Sequence, residues 1–170
     1  MAAMIFSQGA ARGFRESNQT VLEGKTGMKA NPLAAYRETR VKTASPGQLV
    51  VMLYDEAIKQ SDTAIGLLGA DSKPRPDDIE HINMALGRVQ DVITELMASL
   101  DFDAGGEIAR DLFALYVWFG RELLEANIRK EVERIKSVRI MLADLREAWA
   151  DAASKAQSGS STPVGINLAG

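Results

Sequence analysis

One uninterrupted stripe of apolar residues in the middle of the chain does most to limit what this sequence can fold into. Between residues 79 and 100, apolar side chains recur at steps of three and four positions: Ile79, Ile82, Leu86, Val89, Ile93, Leu96 and Leu100. This spacing places side chains on one face of an α-helix. Burial of such a stripe contributes on the order of 10–20 kcal/mol before the loss of chain entropy is subtracted. The sequence therefore predicts a long helix that begins near Asp77.

Three further segments show the same helical spacing. We expect helices from about Pro46 to Leu68, from the region of Ile108 to Asn127, and from about Lys130 to Ala153. Their predicted inner faces are Val51, Tyr54, Ile58, Ser61, Ile65 and Leu68; Ile108, Leu112, Leu115, Phe119, Leu123 and Ala126; and Ile135, Val138, Leu142, Leu145, Trp149 and Ala152. Because the connections are short, neighbouring helices are expected to run antiparallel. The predicted fold is all-α, an up-down-up-down four-helix bundle.

Local signals mark where two of these helices begin. Ser45 is a preferred N-cap, Pro46 suits the first helical position, and Gln48 completes a Ser-x-x-Gln capping box. The pair Gly105-Gly106 is predicted as the break that precedes the third helix. These signals describe local structure and carry no function by themselves.

The third helix has more apolar surface than one inner face requires. Phe113, Val117, Gly120 and Leu124 form a second stripe, and an arc this wide must be buried on several sides or covered by something else. One interpretation is a contact surface for another helix or for the tails of the chain. The other is permanent cover by a further element, such as a short helical segment at 31–40. Both stay open at this point.

The composition argues against some classes of function but does not identify one. The net charge of −3 and pI of about 5.3 argue against a nucleic-acid partner, which requires a basic surface. The longest strongly apolar run, at 112–119, is too short to span a bilayer, so no membrane role is expected. Residues 1–30 are predicted to be a flexible extension, 31–153 the helical bundle, and 154–170 a flexible tail. An alternative is that translation naturally starts at Met28, in which case the residues before it do not belong to the natural protein.

No catalytic or cofactor-binding pattern is evident. The chain has no cysteine and one histidine, His81, which falls between Ile79 and Ile82, is expected to be a solvated side chain, and is not part of a Glu-x-x-His motif. Its glycines match neither a P-loop nor a dinucleotide fingerprint. We therefore expect no enzyme activity, no metal and no cofactor, and predict a binding or scaffold protein.

Three blocks of sequence resemble the flagellin-specific export chaperones, the FliS family. They are NPLAAYRETRVKTASPGQLVVMLYDEAIK at 31–59, LDFDAGGEIARDLFALYVWFGRELLEAN at 100–127, and the weaker DLREAW at 144–149. The chain departs from the pattern at Leu33, where many members have an aromatic residue, and at Glu56, where glycine is common. Residues 1–27 lie outside the pattern.

The resemblance implies a cytosolic chaperone, built as an antiparallel helical bundle. Such a protein binds the C-terminal segment of flagellin, prevents its premature polymerisation and supports its delivery to the flagellar export apparatus. Components of the flagellar export gate are further candidate partners. The implied partner-binding residues, with the second stripe added, are Tyr36, Leu53, Tyr54, Ile108, Leu112, Phe113, Leu115, Tyr116 and Val117.

Other roles stay open for these residues and for the protein. Seven of the nine, all except Phe113 and Val117, have core packing as their competing role, and packing is favoured for Leu53, Leu112 and Leu115. Tyr36 is expected in a segment that covers the binding groove when flagellin is absent. The alternative functions are a regulatory adaptor for another flagellar export or transcription factor, and a helical scaffold that self-associates. The sequence leaves monomer and weak homodimer equally open.

Overall fold

The computed structural model describes Ile5 and residues 44–69 and 73–158 of the 170-residue chain. Four long helices account for most of these residues: α1 (Pro46–Leu68), α2 (Ile79–Ala98), α3 (Phe102–Arg129) and α4 (Val132–Ser158). A short 3₁₀ turn, Pro76–Asp78, precedes α2. The all-α fold predicted from the sequence is confirmed. The predicted segment at 31–40 lies outside the described residues, as do the extension apart from Ile5 and the tail beyond residue 158.

The capping box at the start of α1 forms as predicted. The side chain of Ser45 accepts a hydrogen bond from the Gln48 N–H at 3.3 Å, and the side-chain oxygen of Gln48 accepts one from the Ser45 N–H at 3.0 Å. Gly47 has a tertiary role, because a Cβ there would lie only 3.1 Å from the Cβ of Ala153 in α4. The glycine therefore lets the first turn of α1 approach the last turns of α4.

The helices form a bundle in which α1 packs extensively against both α2 and α4, while α3 packs against the same two helices from the other side. Helices α1 and α3 thus lie on one diagonal of the bundle. Two ion pairs on the surface join α1 to α4. Arg146 Nε donates to Asp55 Oδ1 at 2.8 Å, and Arg139 Nε donates to Asp62 Oδ1 at 2.9 Å.

The core contains most of the predicted apolar positions, but the predicted inner faces of α1 and α2 each need a correction. In α1 the residues Val51, Ile58 and Ile65 are only half-buried. The deeply buried face of α1 is wider than the predicted one and is centred on other residues: Leu49, Val50, Leu53, Tyr54, Ala57, Ser61, Ala64 and Leu68. Since α1 is held between α2 and α4, two flanks must be apolar, and small residues on them permit close packing. In α2 the predicted core residue Ile79 is 40% exposed, because it occupies the first turn at the end of the bundle.

Helix α3 begins earlier than predicted and bends at the expected place. The Asp101 side chain caps it, accepting hydrogen bonds from the N–H groups of Asp103 and Ala104 at 3.1 and 2.9 Å. Gly106 has φ of 54° and ψ of −126°, outside the helical region, so the first turn is set at an angle to the rest. Ile108, predicted on the inner face, is 49% exposed, while its neighbour Ala109 is fully buried. The bend two residues before Ile108 changes which side chain faces the core.

Helix α4 buries four of the six residues of its predicted inner face and extends past its predicted end. Ile135, Val138, Leu142 and Trp149 are buried, and Leu145 and Ala152 are half-buried. The helix continues through Ser158, beyond the predicted end near Ala153. Lys130, with a left-handed φ of 57°, separates α3 from α4.

Candidate functional site

The second apolar stripe of α3 lies on the surface of the bundle. Four side chains at helical spacing are partly or largely exposed: Phe113 by 39%, Val117 by 40%, Leu124 by 52% and Ile128 by 68%. Gly120 lies among them, and we call these five residues the α3 stripe. The stripe covers about four turns, or about 22 Å along the helix. Exposed apolar side chains that adjoin one another in this way are typical of a surface that contacts a partner.

Aromatic packing extends the α3 stripe toward the bend at Gly106. The rings of Phe102 and Phe113 meet edge to face, with their centroids 5.8 Å apart. Phe102 is itself 43% exposed. The first turn of α3 therefore carries an apolar side chain that lies beside the N-terminal end of the stripe.

Two cationic side chains border the outer edge of the α3 stripe. Arg110 and Arg121 are exposed and lie three or four residues from members of the stripe, on the same side of the helix. Within the described part of the chain, neither arginine has an ion-pair partner. The site thus combines an apolar face with a positively charged edge, although the whole chain is acidic.

The nine residues expected to bind a partner fall into three groups. Ile108, Phe113 and Val117 are exposed, and Leu115 is half-buried. The buried members, which fill the core behind the surface, are Leu53, Tyr54, Leu112 and Tyr116. Tyr36 lies outside the described residues. The burial of Leu53 and Leu112 agrees with the packing role that the sequence favoured for them.

The structure brings together the three blocks on which the family resemblance rests. The hydroxyls of Tyr54, from the first block, and Tyr116, from the second, share a hydrogen bond in the core. The indole of Trp149, from the third block, hydrogen-bonds to the Tyr54 hydroxyl. Burial raises the pKa of Tyr116 to about 12 and that of Tyr54 further above its usual range. Next to it, Asp55 of the first block pairs with Arg146 of the third, so these blocks meet at one place in the bundle.

Sequence reasoning missed two members of the surface. Ile128 continues the four-residue step from Leu124, and it was overlooked because the helix was expected to end near Asn127. Phe102 was overlooked because the segment before Gly105 was interpreted as a break rather than as a first helical turn. Extending the spacing of the stripe past the predicted helix end would have found Ile128.

The described residues form no cluster suited to binding a metal ion. Residues 44–69 and 73–158 contain no group of three or more His, Asp or Glu side chains that could hold a metal ion. His81 is exposed at the start of α2, with its Nδ1 atom 3.3 Å from the carbonyl oxygen of Asp77. None of the described helices is both long and apolar enough to cross a membrane.

Comparison with known proteins identifies the family. The family model described as "Flagellar protein FliS" matches residues 29–156. The flagellar secretion chaperone FliS of Bacillus subtilis strain 168 is 32% identical over 122 residues, covering 72% of this chain and 86% of that protein. The protein of the same name from Salmonella typhimurium strain LT2 is 36% identical over 120 residues, covering 70% and 84%.

A solved structure shares the fold. It is described as "Crystal structure of flagellar chaperone from bacteria", and it superposes with a TM-score of 0.58 over 74% of this chain and 99% of its own length, at 19% identity. Likeness at this identity concerns the fold alone, whereas the family match extends over all four helices of the bundle. The chain belongs to the FliS family of flagellar proteins.

Proposed function

We propose that this protein is an export chaperone that binds the C-terminal segment of flagellin in the cytosol. Binding keeps that segment from polymerising before export and supports delivery of the subunit to the flagellar export apparatus. Family membership indicates the class of client, and the exposed α3 stripe is the observation that carries the proposal. The protein acts by binding rather than by catalysis.

The shape of the α3 stripe suits a helical client. An amphipathic helix with apolar residues at steps of three and four can lay its apolar face along a stripe about four turns long. A segment that is unstructured before binding pays an ordering cost, which the burial of Phe113, Val117 and Leu124 offsets. Ile108 and Phe113 then contact the client directly, and the buried Leu112 and Tyr116 support them from the core side.

The charge beside the stripe suggests further chemistry of the client. Arg110 and Arg121 are separated by eleven positions, or about 16 Å along α3. A client helix with acidic side chains on the flank of its apolar face would complement both arginines. Added salt is then expected to slow association more than it speeds dissociation.

Titration calorimetry tests the proposal. The full chain is titrated with a peptide that comprises the last ~50 residues of a flagellin from the same source. One-to-one binding with a large negative heat-capacity change is the expected result, since apolar area is buried and the peptide becomes ordered. Absence of both heat and co-elution in gel filtration would contradict the proposal.

Gel filtration of the protein without any client separates the alternatives. A small, monodisperse species that does not bind flagellin favours the regulatory adaptor, whose partner is another helical protein. Elution as a large species that Phe113→Asp converts to a monomer favours self-association through the α3 stripe. A small species that binds flagellin supports the chaperone.

A further inference from the structure

Trp118 is an exposed aromatic residue on a flank of α3 that the α3 stripe does not include. It is 38% exposed, and because it directly follows Val117 it lies about 100° further around the helix. Its ring packs on Phe119 of the core, with the two centroids 5.7 Å apart. A large aromatic side chain that is already held in place loses little freedom when a partner covers it. Trp118 therefore has the properties of a contact residue outside the stripe.

The flank that carries Trp118 faces α4. Glu122 follows Trp118 by four positions, so the two side chains lie on one side of α3. The Oε2 atom of Glu122 accepts a hydrogen bond from Nη1 of Arg134 in α4 at 2.7 Å. Toward the N-terminal end of α3, the same side continues at steps of three and four positions. One strip of α3 therefore runs beside α4, and it consists of Asp111, Leu115, Trp118 and Glu122.

Helix α4 contributes a matching strip. Met141 follows Arg134 by two helical turns, and Asp144 follows Met141 by three positions, on the solvent side of the same flank. Because α3 and α4 are antiparallel, Asp111 and Asp144 lie at about the same height, each roughly 15 Å along its helix from the ion pair between Glu122 and Arg134. We call the following residues the α3–α4 face: Asp111, Leu115, Trp118, Met141 and Asp144.

The α3–α4 face is apolar in its middle and acidic at one end. Leu115 and Met141 are half-buried and pack against the core, and Trp118 lies beside Leu115 at a spacing of three residues. Asp111 and Asp144 are exposed, and neither has an ion-pair partner in the part of the chain that the structure describes. An apolar surface is thus joined to a pair of carboxylates whose charge is not neutralised by these residues.

The charge of this face limits what can bind there. Arg134 does not neutralise the two carboxylates, since it is already bonded to Glu122 and Glu131. The phosphates of a nucleic acid or of an anionic membrane surface would be repelled by unpaired carboxylates. A protein segment that carries lysine or arginine next to apolar residues is complementary to both parts of the face.

We propose that the α3–α4 face binds a basic amphipathic helix of a second partner protein. Apolar residues of that helix at steps of three and four contact Trp118, Leu115 and Met141. A lysine or arginine one to two turns further along pairs with Asp111 and Asp144. Because the α3 stripe lies on the other flank of α3, it stays accessible while the second partner is bound. This proposal does not rest on the proposed function.

A synthetic helical peptide tests the proposal on the full chain. The alanine-rich probe of about 18 residues, or about 27 Å of helix, carries a leucine stripe and a pair of lysines near one end. In the control peptide, glutamates replace the lysines. The indole N–H signal of Trp118 in NMR spectra is expected to shift with the lysine peptide, while that of the buried Trp149 serves as the reference. The control peptide should bind at least about tenfold more weakly at low salt. No shift at Trp118, or equal binding of both peptides, would overturn the proposal.

Three variants show which surface the lysine peptide uses. Trp118→Ala should weaken binding about tenfold, and Asp111→Asn/Asp144→Asn should weaken it about fivefold and reduce its dependence on salt. Phe113→Asp alters the α3 stripe and leaves the α3–α4 face intact, so it should bind at least as tightly as the native chain. The double variant changes only exposed side chains and decides the matter if Trp118→Ala does not fold. Weaker binding by Phe113→Asp, together with native affinity in the double variant, would place the peptide on the stripe and overturn the proposal.

Discussion

The hydroxyl groups of Tyr54 and Tyr116 share a hydrogen bond across the core and so join α1 to α3 on the diagonal of the bundle. Both side chains are fully buried. The Tyr54 hydroxyl has a second partner in the indole of Trp149 from α4. Three of the four helices therefore meet at a polar contact inside an apolar core.

Removal of the Tyr54 hydroxyl should destabilise the fold more than removal of the Tyr116 hydroxyl. Tyr54→Phe removes two buried hydrogen bonds, one with the Tyr116 hydroxyl and one with the Trp149 indole, whereas Tyr116→Phe removes only the first and leaves the Tyr54–Trp149 bond in place. We expect losses of about 2–4 kcal/mol and about 1–2 kcal/mol in the free energy of unfolding. Urea denaturation of both variants measures the difference.

The double variant Tyr54→Phe/Tyr116→Phe provides the control. It removes both hydroxyls, so no tyrosine is left with an unpaired polar group, and its loss should be smaller than the sum of the two single losses. Additive losses would mean that the hydroxyls do not interact in solution.

The same pair predicts a loss of stability at alkaline pH. Burial raises the pKa of Tyr116 to about 12 and raises that of Tyr54 as well, whereas an unfolded tyrosine has a pKa near 10. The folded state therefore holds both protons more tightly, and their contribution is fully present below pH ~10. As pH rises from ~10 toward ~12, each hydroxyl should remove about 1.4 kcal/mol of stability per pH unit.

Denaturation at several alkaline pH values checks this expectation. The native chain is compared with Tyr54→Phe/Tyr116→Phe, which keeps Tyr36 and every other titrating group. The double variant should lose less stability over the same interval. Identical slopes in the two proteins would show that neither tyrosine is buried in its neutral form.

The helical pattern of the sequence predicts the fold well, because apolar spacing determines which faces can be buried. The stripe from Ile82 to Leu96 and that from Ile135 to Trp149 became core as predicted. The apolar spacing does not predict burial correctly where packing against neighbouring helices determines which side chains are buried. The buried face of α1 depends on its position between two helices, so Val51 and Ile65 are half-buried where spacing alone places them inside.

The surface was harder to predict than the core. The exposure of Phe113 follows from its place outside the inner face of α3, which the spacing shows. The contact between Ile5 and Asp101 joins residues that are far apart in sequence through one backbone hydrogen bond, and no residue pattern encodes such a bond. Ile108 faces solvent because of a backbone angle at Gly106, and the sequence indicated the break without its direction.

An acidic substitution in the α3 stripe should weaken client binding and leave the fold intact. Phe113 is 39% exposed, so Phe113→Asp places its charge in water while it removes an apolar contact. We expect at least about a tenfold loss of affinity for the flagellin peptide, typical of a central apolar contact. Thr63→Asp adds the same charge at an exposed position of α1, which is diagonal to α3 in the bundle, and should bind like the native chain.

The same substitution at Leu112, the residue before Phe113, should disrupt the fold. Leu112 is 8% exposed and packs in the core, so Leu112→Asp should prevent folding altogether. Circular dichroism separates the two outcomes, with a helical spectrum and a cooperative melt for Phe113→Asp and neither for Leu112→Asp. Collapse of the Phe113→Asp fold would remove the basis for treating the stripe as a surface.

Gly120 offers a test in which stability and binding should change in opposite senses. It lies in the interior of α3, and no atom comes within 4 Å of the position that a Cβ would occupy there, leaving aside its chain neighbours and the nearby helix backbone. Gly120→Ala should therefore stabilise the helix by about 1 kcal/mol. Inside the α3 stripe, however, the glycine lets the backbone of a client approach closely, and the added methyl group should weaken binding several-fold.

Gly87 is the matched control, since it lies in the interior of α2 rather than in the α3 stripe and has equally open space. Gly87→Ala should raise stability by the same ~1 kcal/mol and leave client affinity unchanged. Thermal denaturation and titration calorimetry of the two variants give all four values. If both glycine variants bind the peptide as tightly as the native chain, the client backbone does not pass over Gly120. If only Gly120→Ala loses affinity while both gain stability, the client lies along the α3 stripe at its middle.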